Sequence, residues 1–506
     1  MHEYKKGSCF SSLDDIKDKK ITVMGLGLNG GGEACVRFFL KHGAYVTVTD
    51  MKTRNQLKAT VDRLENDASL DTSRLKYVLG SHKIEDFEDA FCVIKNPGVK
   101  YEGNKYLEAA KNIETDISIF LNFTKSKVIA VTGSKGKSST VSAIYYGLKE
   151  AGIKCFLGGN ITVSPLSFLE ETTEETPVIL ELSSWQLSDL RGRGLLKPVI
   201  SVITKIVPDH QNWYSNMDDY ILDKRLIYKN QDENDWAIFD YDSSADELSP
   251  SGYKSWGELF SSECKAKILR YSRKNQENLA KEGKFFGVWQ EKSDSGIIGK
   301  AFLPGMKEPF TVMENLLLPG LHIKENVLNA ALVLLLLGVQ KEKIPHIFQK
   351  WQGVEHRLQH FHSYNLIEFY NDSCATVPAA AFCASQAFGK PVIFISGGTD
   401  KGLSFDLLVK AFVSSEKNIF KPKALFLLSG TGTDKILPEL EKNNVKFEGP
   451  FSSLEELIVS LKNYIDSEKI SGESVVFSPG ATSFGMFLNE FDRGNKFMDL
   501  IKKVFS

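Results

Sequence analysis

No apolar run in the chain is long enough to cross a bilayer. The longest strongly apolar stretch, Ala330 to Leu337, falls well short of the ~20 residues a spanning helix needs and reads as a buried helix. Met1 to Asp15 lacks the apolar core of a signal peptide, so the expectation is a cytoplasmic chain without membrane insertion. Excess charge of one sign is missing too. A formal net charge of −2 over 506 residues gives no general attraction to nucleic acid, so any phosphate binding must be local. Cysteine is sparse: seven residues, at 9, 35, 92, 155, 264, 374 and 383, none in a CxxC spacing. That odd, scattered set points to free thiols in a reducing compartment. There is no internal repeat or low-complexity tract, and the acidic run Glu170 to Glu175 reads as a solvated loop.

What remains is an ordinary globular composition, 42% apolar and 25% charged, in a chain long enough for about three domains. Its most informative segment is Val131-Thr132-Gly133-Ser134-Lys135-Gly136-Lys137-Ser138-Ser139-Thr140. A strand, Val128 to Val131, precedes the glycines and a helix, Ser139 to Ala151, follows. Such a turn aims backbone N–H groups and the positive helix end at one point. Lys137 adds a full charge and Ser138 a hydroxyl for Mg²⁺, a combination that holds nucleotide phosphates. The usual loop has four residues between its glycines; Gly133 and Gly136 enclose two.

The pattern strand-then-helix recurs in three blocks, an α/β arrangement with ligands expected at the strand C-termini. The first block opens with Ile21 to Met24, then Gly25-Leu26-Gly27-Leu28-Asn29-Gly30, a helix from Glu33 to about His42, and a strand Tyr45 to Thr49 ending at Asp50. This fits a dinucleotide-type phosphate turn. A strand Cys92 to Lys95 breaks at Asn96-Pro97-Gly98, a turn placed to close over the same ligand. The second block adds strands Val178 to Leu182 and Val199 to Ile203; the polar stretch Asp240 to Glu314 reads as strands and loops. The third block follows Gly353, with strands Leu366 to Tyr370, Val392 to Ser396, Ala424 to Leu428 and Val475 to Phe477.

Two strand ends beside the phosphate loop carry chemistry. Glu181 closes a buried strand and can share the Mg²⁺ of Ser138. His210, in Pro208-Asp209-His210, can ligate a second metal or bind substrate; an imidazole ligand implies tolerance of Mn²⁺. Lys224, on a helix Met217 to Lys229, reads by spacing alone as a solvated lysine.

Taken in order, Thr132 to Ser139, Gly158-Gly159-Asn160, Glu181 to Ser184, Asp209-His210, Lys224, His322 and Asn326, His356-Arg357 and Asn371-Asp372-Ser373 resemble the Mur ligase family of ATP-dependent amide ligases over nearly the whole chain. The first glycine turn, Glu181 to Leu187, Asp209 to Tyr214, and Ser478 to Phe484 with Arg493-Gly494 resemble the branch that adds D-glutamate to UDP-N-acetylmuramoyl-L-alanine in peptidoglycan precursor synthesis.

The resemblance implies three domains: a Rossmann-like UDP-sugar domain over 1–116, a central P-loop-type ATPase domain with a mostly parallel sheet over 117–353, and a Rossmann-like glutamate domain over 354–506. It implies ATP at Gly133, Ser134, Lys135, Gly136, Lys137, Ser138, Ser139, Asn326, Arg357 and Asp372. The UDP-sugar falls to Leu28, Asn29, Lys52, Asn96, Pro97, Gly98, Asn160 and His210, and glutamate to Thr376, Lys401 and Ser483. Lys137, Glu181, His210 and Lys224 are the implied catalytic set. Ser138, Glu181, His210 and Lys224, the last as a CO₂-derived carbamate, are the implied ligands of one or two Mg²⁺. The implied chain is a monomer whose partners are small-molecule substrates.

Two positions depart from the family pattern: Ile323 follows His322 where an asparagine is usual, and Cys374 replaces a lysine. A thiol is mostly uncharged at neutral pH. Ligation with L-glutamate or another amino acid therefore stands as an alternative. A dinucleotide-dependent oxidoreductase is a further one, but it accounts for neither Lys137 nor Glu181.

Overall fold

The computed structural model describes residues 2–28, 30–209, 213–242, 250–281, 285–294 and 296–506. These form two compact units, Met1–Met313 with Glu325–Ile347 and Glu314–Lys324 with Phe348–Ser506. Among the described residues three sheets are present, two in the first unit and one in the second.

The N-terminal sheet is wholly parallel, in the order β3-β2-β1-β4-β5. Its strands are β1 (Lys20–Met24), β2 (Tyr45–Asp50), β3 (Leu75–Leu79), β4 (Cys92–Lys95) and β5 (Ile113–Glu114). Strand order reverses between β1 and β4, so the glycine turn after β1 and the Asn96-Pro97-Gly98 turn after β4 lie side by side at the switch point where such sheets bind ligands. The predicted strands appear as β1, β2 and β4. β3 has only Val78 fully buried and β5 is two residues long, so neither carries the continuous apolar run that marks an internal strand.

The second sheet runs β14-β13-β12-β11-β10-β9-β6-β8-β7. It comprises β6 (Val128–Thr132), β7 (Phe156–Gly159), β8 (Val178–Glu181), β9 (Ile200–Ile203), β10 (Trp236–Asp240), β11 (Lys267–Ser272), β12 (Gly287–Ser293), β13 (Gly296–Phe302) and β14 (Phe310–Met313). It is parallel through β12, and antiparallel pairing adds β13 and β14. β6, β8 and β9 are buried at every position, as expected for a central sheet covered on both faces. β6 lies between β8 and β9, which gathers the loop after β6, Glu181 at the end of β8 and the Asp209 loop after β9 along one edge.

The third sheet, β15-β16-β20-β17-β18-β19, forms the second unit. It contains β15 (Gln359–Tyr364), β16 (Ile367–Asn371), β17 (Ile393–Gly397), β18 (Ala424–Leu428), β19 (Glu448–Phe451) and β20 (Ser474–Phe477), with only the β15–β16 pair antiparallel. The predicted apolar helix lies in Leu321–Leu336 and is buried through Leu334, and no helix of the described residues is long and apolar enough to cross a membrane. All seven cysteines are free thiols.

Candidate functional site

The phosphate loop is shaped by two glycines that no other residue could replace cheaply. Gly133 has φ +143°, and a Cβ there would lie 2.0 Å from Thr204 Oγ1. Gly136 has φ +94°, and its Cβ would lie 2.4 Å from Asn326 Oδ1. The second contact explains why Asn326, distant in sequence and 5% exposed, belongs to this site: its side chain packs on the loop and accepts from Thr140 Oγ1 at 3.4 Å. The loop is anchored to the segment after β9. Ser134 N and Lys135 N donate to Lys205 O, Thr204 Oγ1 donates to Lys135 O, and Ser134 Oγ donates to Val207 O. The helix Lys137–Glu150 starts at Gly136, with Lys137, Ser138 and Ser139 half-buried in its first turn. Lys137 Nζ donates to Gly133 O at 2.9 Å and Ser134 O at 3.2 Å, and exposed Lys135 pairs with Asp209 at 3.3 Å.

Glu181 is 1% exposed. Its Oε1 accepts from Asn160 Nδ2 at 2.9 Å, and Oε2 is buried with no hydrogen-bond partner among the described residues. An unpartnered buried carboxylate oxygen is costly, and a bound cation removes that cost. Among the described residues no three His, Cys, Asp or Glu side chains form a metal cage.

Lys224 corrects the reading from spacing. It is 1% exposed, on the helix Met217–Arg225, and its Nζ donates to Gly133 O at 3.0 Å. The ammonium also sits 4.5 Å over the Tyr220 ring. Burial lowers its pKa well below the ordinary lysine value, and the nearby Lys137 charge lowers it further, against the opposing pull of Asp209, Asp223 and Glu181. Tyr220 is a site residue that the sequence reasoning missed. One turn before Lys224, it donates its hydroxyl to Ser134 Oγ at 2.9 Å, tying the helix to the phosphate loop. The i, i+4 spacing from Lys224 was the available signal.

In the N-terminal sheet, Asp50 Oδ2 accepts from Gly27 N and Oδ1 from Lys52 N, so one buried carboxylate holds both the glycine turn and Lys52. Leu28 and Lys52 are exposed there. A Cβ on Gly25 would meet Asn96 Cβ at 3.2 Å, so the two turns touch. Asn96 Oδ1 accepts from Gly98 N, which closes the Asn96-Pro97-Gly98 turn. A Cβ built on Gly30 would lie 3.5 Å from Thr162 O, so the first helix end approaches the loop that carries Asn160. Asn29 and His210 lie outside the described residues.

In the second unit, Asp372 accepts from Leu358 N and from Ser478 Oγ, next to exposed Arg357. Burial pushes its pKa up to about 7, partly offset by those hydrogen bonds and by Arg357. Lys401 Nζ donates to Thr376 Oγ1 at 3.3 Å, which places a cation two residues along from Cys374. Burial raises the Cys374 thiol to about 11, so it stays uncharged. Thr399 and Thr482 pair through their backbones and bring buried Ser483 to the same end of the sheet as Lys401. Arg493, 1% exposed, braces this edge by donating to Ser373 Oγ, Ser373 O and Ala481 O.

Comparison with known proteins agrees with this geometry. Residues 131–334 match the Mur ligase middle domain, and residues 19–118 match the MurD-like N-terminal domain of Mur ligases. UDP-N-acetylmuramoylalanine--D-glutamate ligase of Treponema pallidum (strain Nichols) is 35% identical, over 97% of this chain and 98% of its own. The protein of the same name from Borreliella afzelii (strain PKo) is 38% identical, over 97% and 99%. The fold is similar to that of MurF from Acinetobacter baumannii (TM-score 0.56, 14% identity, covering 99% and 100%). It is also similar to that of the UDP-N-acetylmuramate-alanine ligase MurC from Thermotoga maritima (TM-score 0.54, 17% identity, covering 96% and 99%). With full-length relatives at this identity and a phosphate loop, buried lysine and strand-end carboxylate assembled on one sheet edge, the chain belongs to the Mur ligase family.

Proposed function

We propose that the chain joins D-glutamate to UDP-N-acetylmuramoyl-L-alanine at the expense of ATP, as a cytoplasmic monomer in peptidoglycan precursor synthesis. The observation that carries this reading is the buried amine of Lys224, 3.0 Å from the Gly133 carbonyl in a nucleotide loop. A plain nucleotide-binding fold has no need to bury a lysine against its own phosphate loop. The names of the full-length relatives support the choice of substrates.

In this reading domains spanning 1–116, 117–353 and 354–506 take the UDP-sugar, ATP and glutamate. Leu28, Asn29, Lys52 and the Asn96-Pro97-Gly98 turn hold the UDP-sugar, together with Asn160 and His210. The turn Gly133 to Ser139 cradles the triphosphate, and Lys137 exchanges its loop carbonyls for phosphate oxygens. Asn326, Arg357 and Asp372 complete the nucleotide contacts. Ser138, Glu181 and His210 fit one or two Mg²⁺, with Mn²⁺ tolerated, and the metal when bound neutralises phosphoryl charge. Lys224, its pKa lowered by burial so that the proton needed to free the amine is more easily lost, fits capture of CO₂ as a carbamate that adds an anionic oxygen donor.

An oxygen of the alanyl carboxylate attacks the γ-phosphorus and ADP leaves, giving an acyl phosphate. The glutamate amine then attacks the acyl carbon and loses a proton. Phosphate departs with the former carboxylate oxygen. Thr376, Lys401 and Ser483 hold the glutamate carboxylates, and much of the rate comes from alignment. Lys401 supplies the positive charge that Cys374 does not. The test is phosphate release with UDP-N-acetylmuramoyl-L-alanine, ATP and each of D-glutamate, L-glutamate and L-alanine in turn. Release with D-glutamate is expected, and no release with either glutamate isomer overturns the reading.

A further inference from the structure

The N-terminal arm and one buried aspartate meet where the first sheet's turn after β4 approaches the second sheet's domain. Asp189 follows the helix Ser184–Ser188 of the second sheet's domain and is 3% exposed. Its Oδ2 accepts from Lys95 Nζ at 2.8 Å, and its Oδ1 accepts from Tyr4 OH at 3.0 Å. Lys95, also 3% exposed, is the last residue of β4, and its Nζ also donates to the carbonyl of Asn96 at 3.1 Å. One ammonium thus joins the first carbonyl of the Asn96-Pro97-Gly98 turn to a carboxylate of the ATP-binding domain.

The arm completes the junction. Tyr4 N donates to Arg191 O and Gly7 N to Arg193 O, and the Arg193 guanidinium lies 4.3 Å over the Tyr4 ring. Gly192 is required for this approach: it has φ +81°, and a Cβ there would lie 2.5 Å from Tyr4 O. Beyond the turn, Lys100 Nζ donates to Trp213 O at 3.4 Å, in the loop that follows Asp209. Turn and loop share the walls of a cleft of about 250 Å³ that includes Pro97, Lys100, Trp213 and Tyr214.

We infer that Asp189 and Lys95 are positioning residues that set where the Asn96-Pro97-Gly98 turn meets the UDP-sugar, relative to the phosphate loop. The inference rests on the proposed function, which assigns that turn to the UDP-sugar. Removing only one charge would strand the other in a buried site and confound folding with positioning. The informative variant is therefore Lys95→Met with Asp189→Leu, which leaves no unpaired charge. It keeps an apolar fill but frees the Asn96 carbonyl and the Tyr4 hydroxyl, which lies on the wall of the cleft.

The expected result is a thermal midpoint close to wild type, a KM for UDP-N-acetylmuramoyl-L-alanine raised about tenfold, the equivalent of one hydrogen bond to a charged group, and an unchanged KM for ATP. Tyr4→Phe, which removes only the phenol oxygen, is expected to give a smaller change of the same kind. Calorimetric titration of the UDP-sugar into both proteins gives the same comparison without turnover. If wild type neither binds nor turns over the UDP-sugar, the proposed function fails and this inference with it. If wild type is active and the double variant keeps its UDP-sugar KM and affinity, the inference alone is overturned. A parallel loss of affinity for ATP also overturns it, since that would show a general structural defect.

Discussion

Glu181→Gln should make the ligand-free protein more stable and the enzyme much slower. The carboxylate is 1% exposed, and among the described residues only one of its oxygens is partnered, by Asn160. A buried acceptor left unpaired costs about 1–3 kcal/mol. Glutamine keeps the oxygen that meets Asn160 and replaces a buried charge with a neutral amide, which is less costly to desolvate. A gain of about 1 kcal/mol is expected, or about 2–4 °C in the thermal midpoint for a domain of this size. Turnover moves the other way. Losing one anionic ligand of the cation that neutralises the transferring phosphoryl should cost about 3 kcal/mol, roughly a hundredfold in kcat. The stabilisation that Mg²⁺ and ATP together give wild type should shrink in the variant. Calorimetry with and without Mg²⁺ and ATP, alongside a phosphate-release assay, reads both effects. A variant that is less stable without ligands yet fully active would show that Glu181 is a structural acid and refute the reasoning.

Further outcomes follow from the same geometry. Lys224→Ala should largely abolish turnover, with partial recovery in added formate or acetate, because a small carboxylate can occupy the space of a carbamate; full activity without rescue excludes that role. Gly136→Ala forces a Cβ against Asn326 at φ +94° and should raise the KM for ATP about tenfold while leaving UDP-sugar binding intact, as titration of each ligand would show. Asp372, with its pKa raised to about 7, binds a proton more tightly in the folded than in the unfolded chain. Its contribution to stability therefore falls as pH rises from about 4 to 7, and Asp372→Asn should flatten that part of the pH dependence in denaturant titrations.

Much of the site was legible because its parts are local. Glycine turns, buried strands and the residues at strand ends are written in short stretches of sequence, and β4 and β18 fall where the apolar runs place them. Burial of Lys224 was not legible. Its helix reads Met-Asp-Asp-Tyr-Ile-Leu-Asp-Lys-Arg, polar enough to pass for a surface helix, and the contacts that bury it come from Thr132 and Gly133, some 91–92 residues away. The Lys95–Asp189 junction was hidden for the same reason: its partners are 94 residues apart, and each alone looks like a surface charge. Edge strands such as β15 and β19 escaped because their exposed positions break the apolar pattern.

The central claim is that the alanyl carboxylate is activated by direct phosphorylation. It is tested by supplying UDP-N-acetylmuramoyl-L-alanine labelled with ¹⁸O in that carboxylate, together with ATP and D-glutamate, and examining the released phosphate by ³¹P NMR. An acyl phosphate requires one labelled oxygen to pass into each phosphate as the amide forms. Unlabelled phosphate released in step with product would contradict the account.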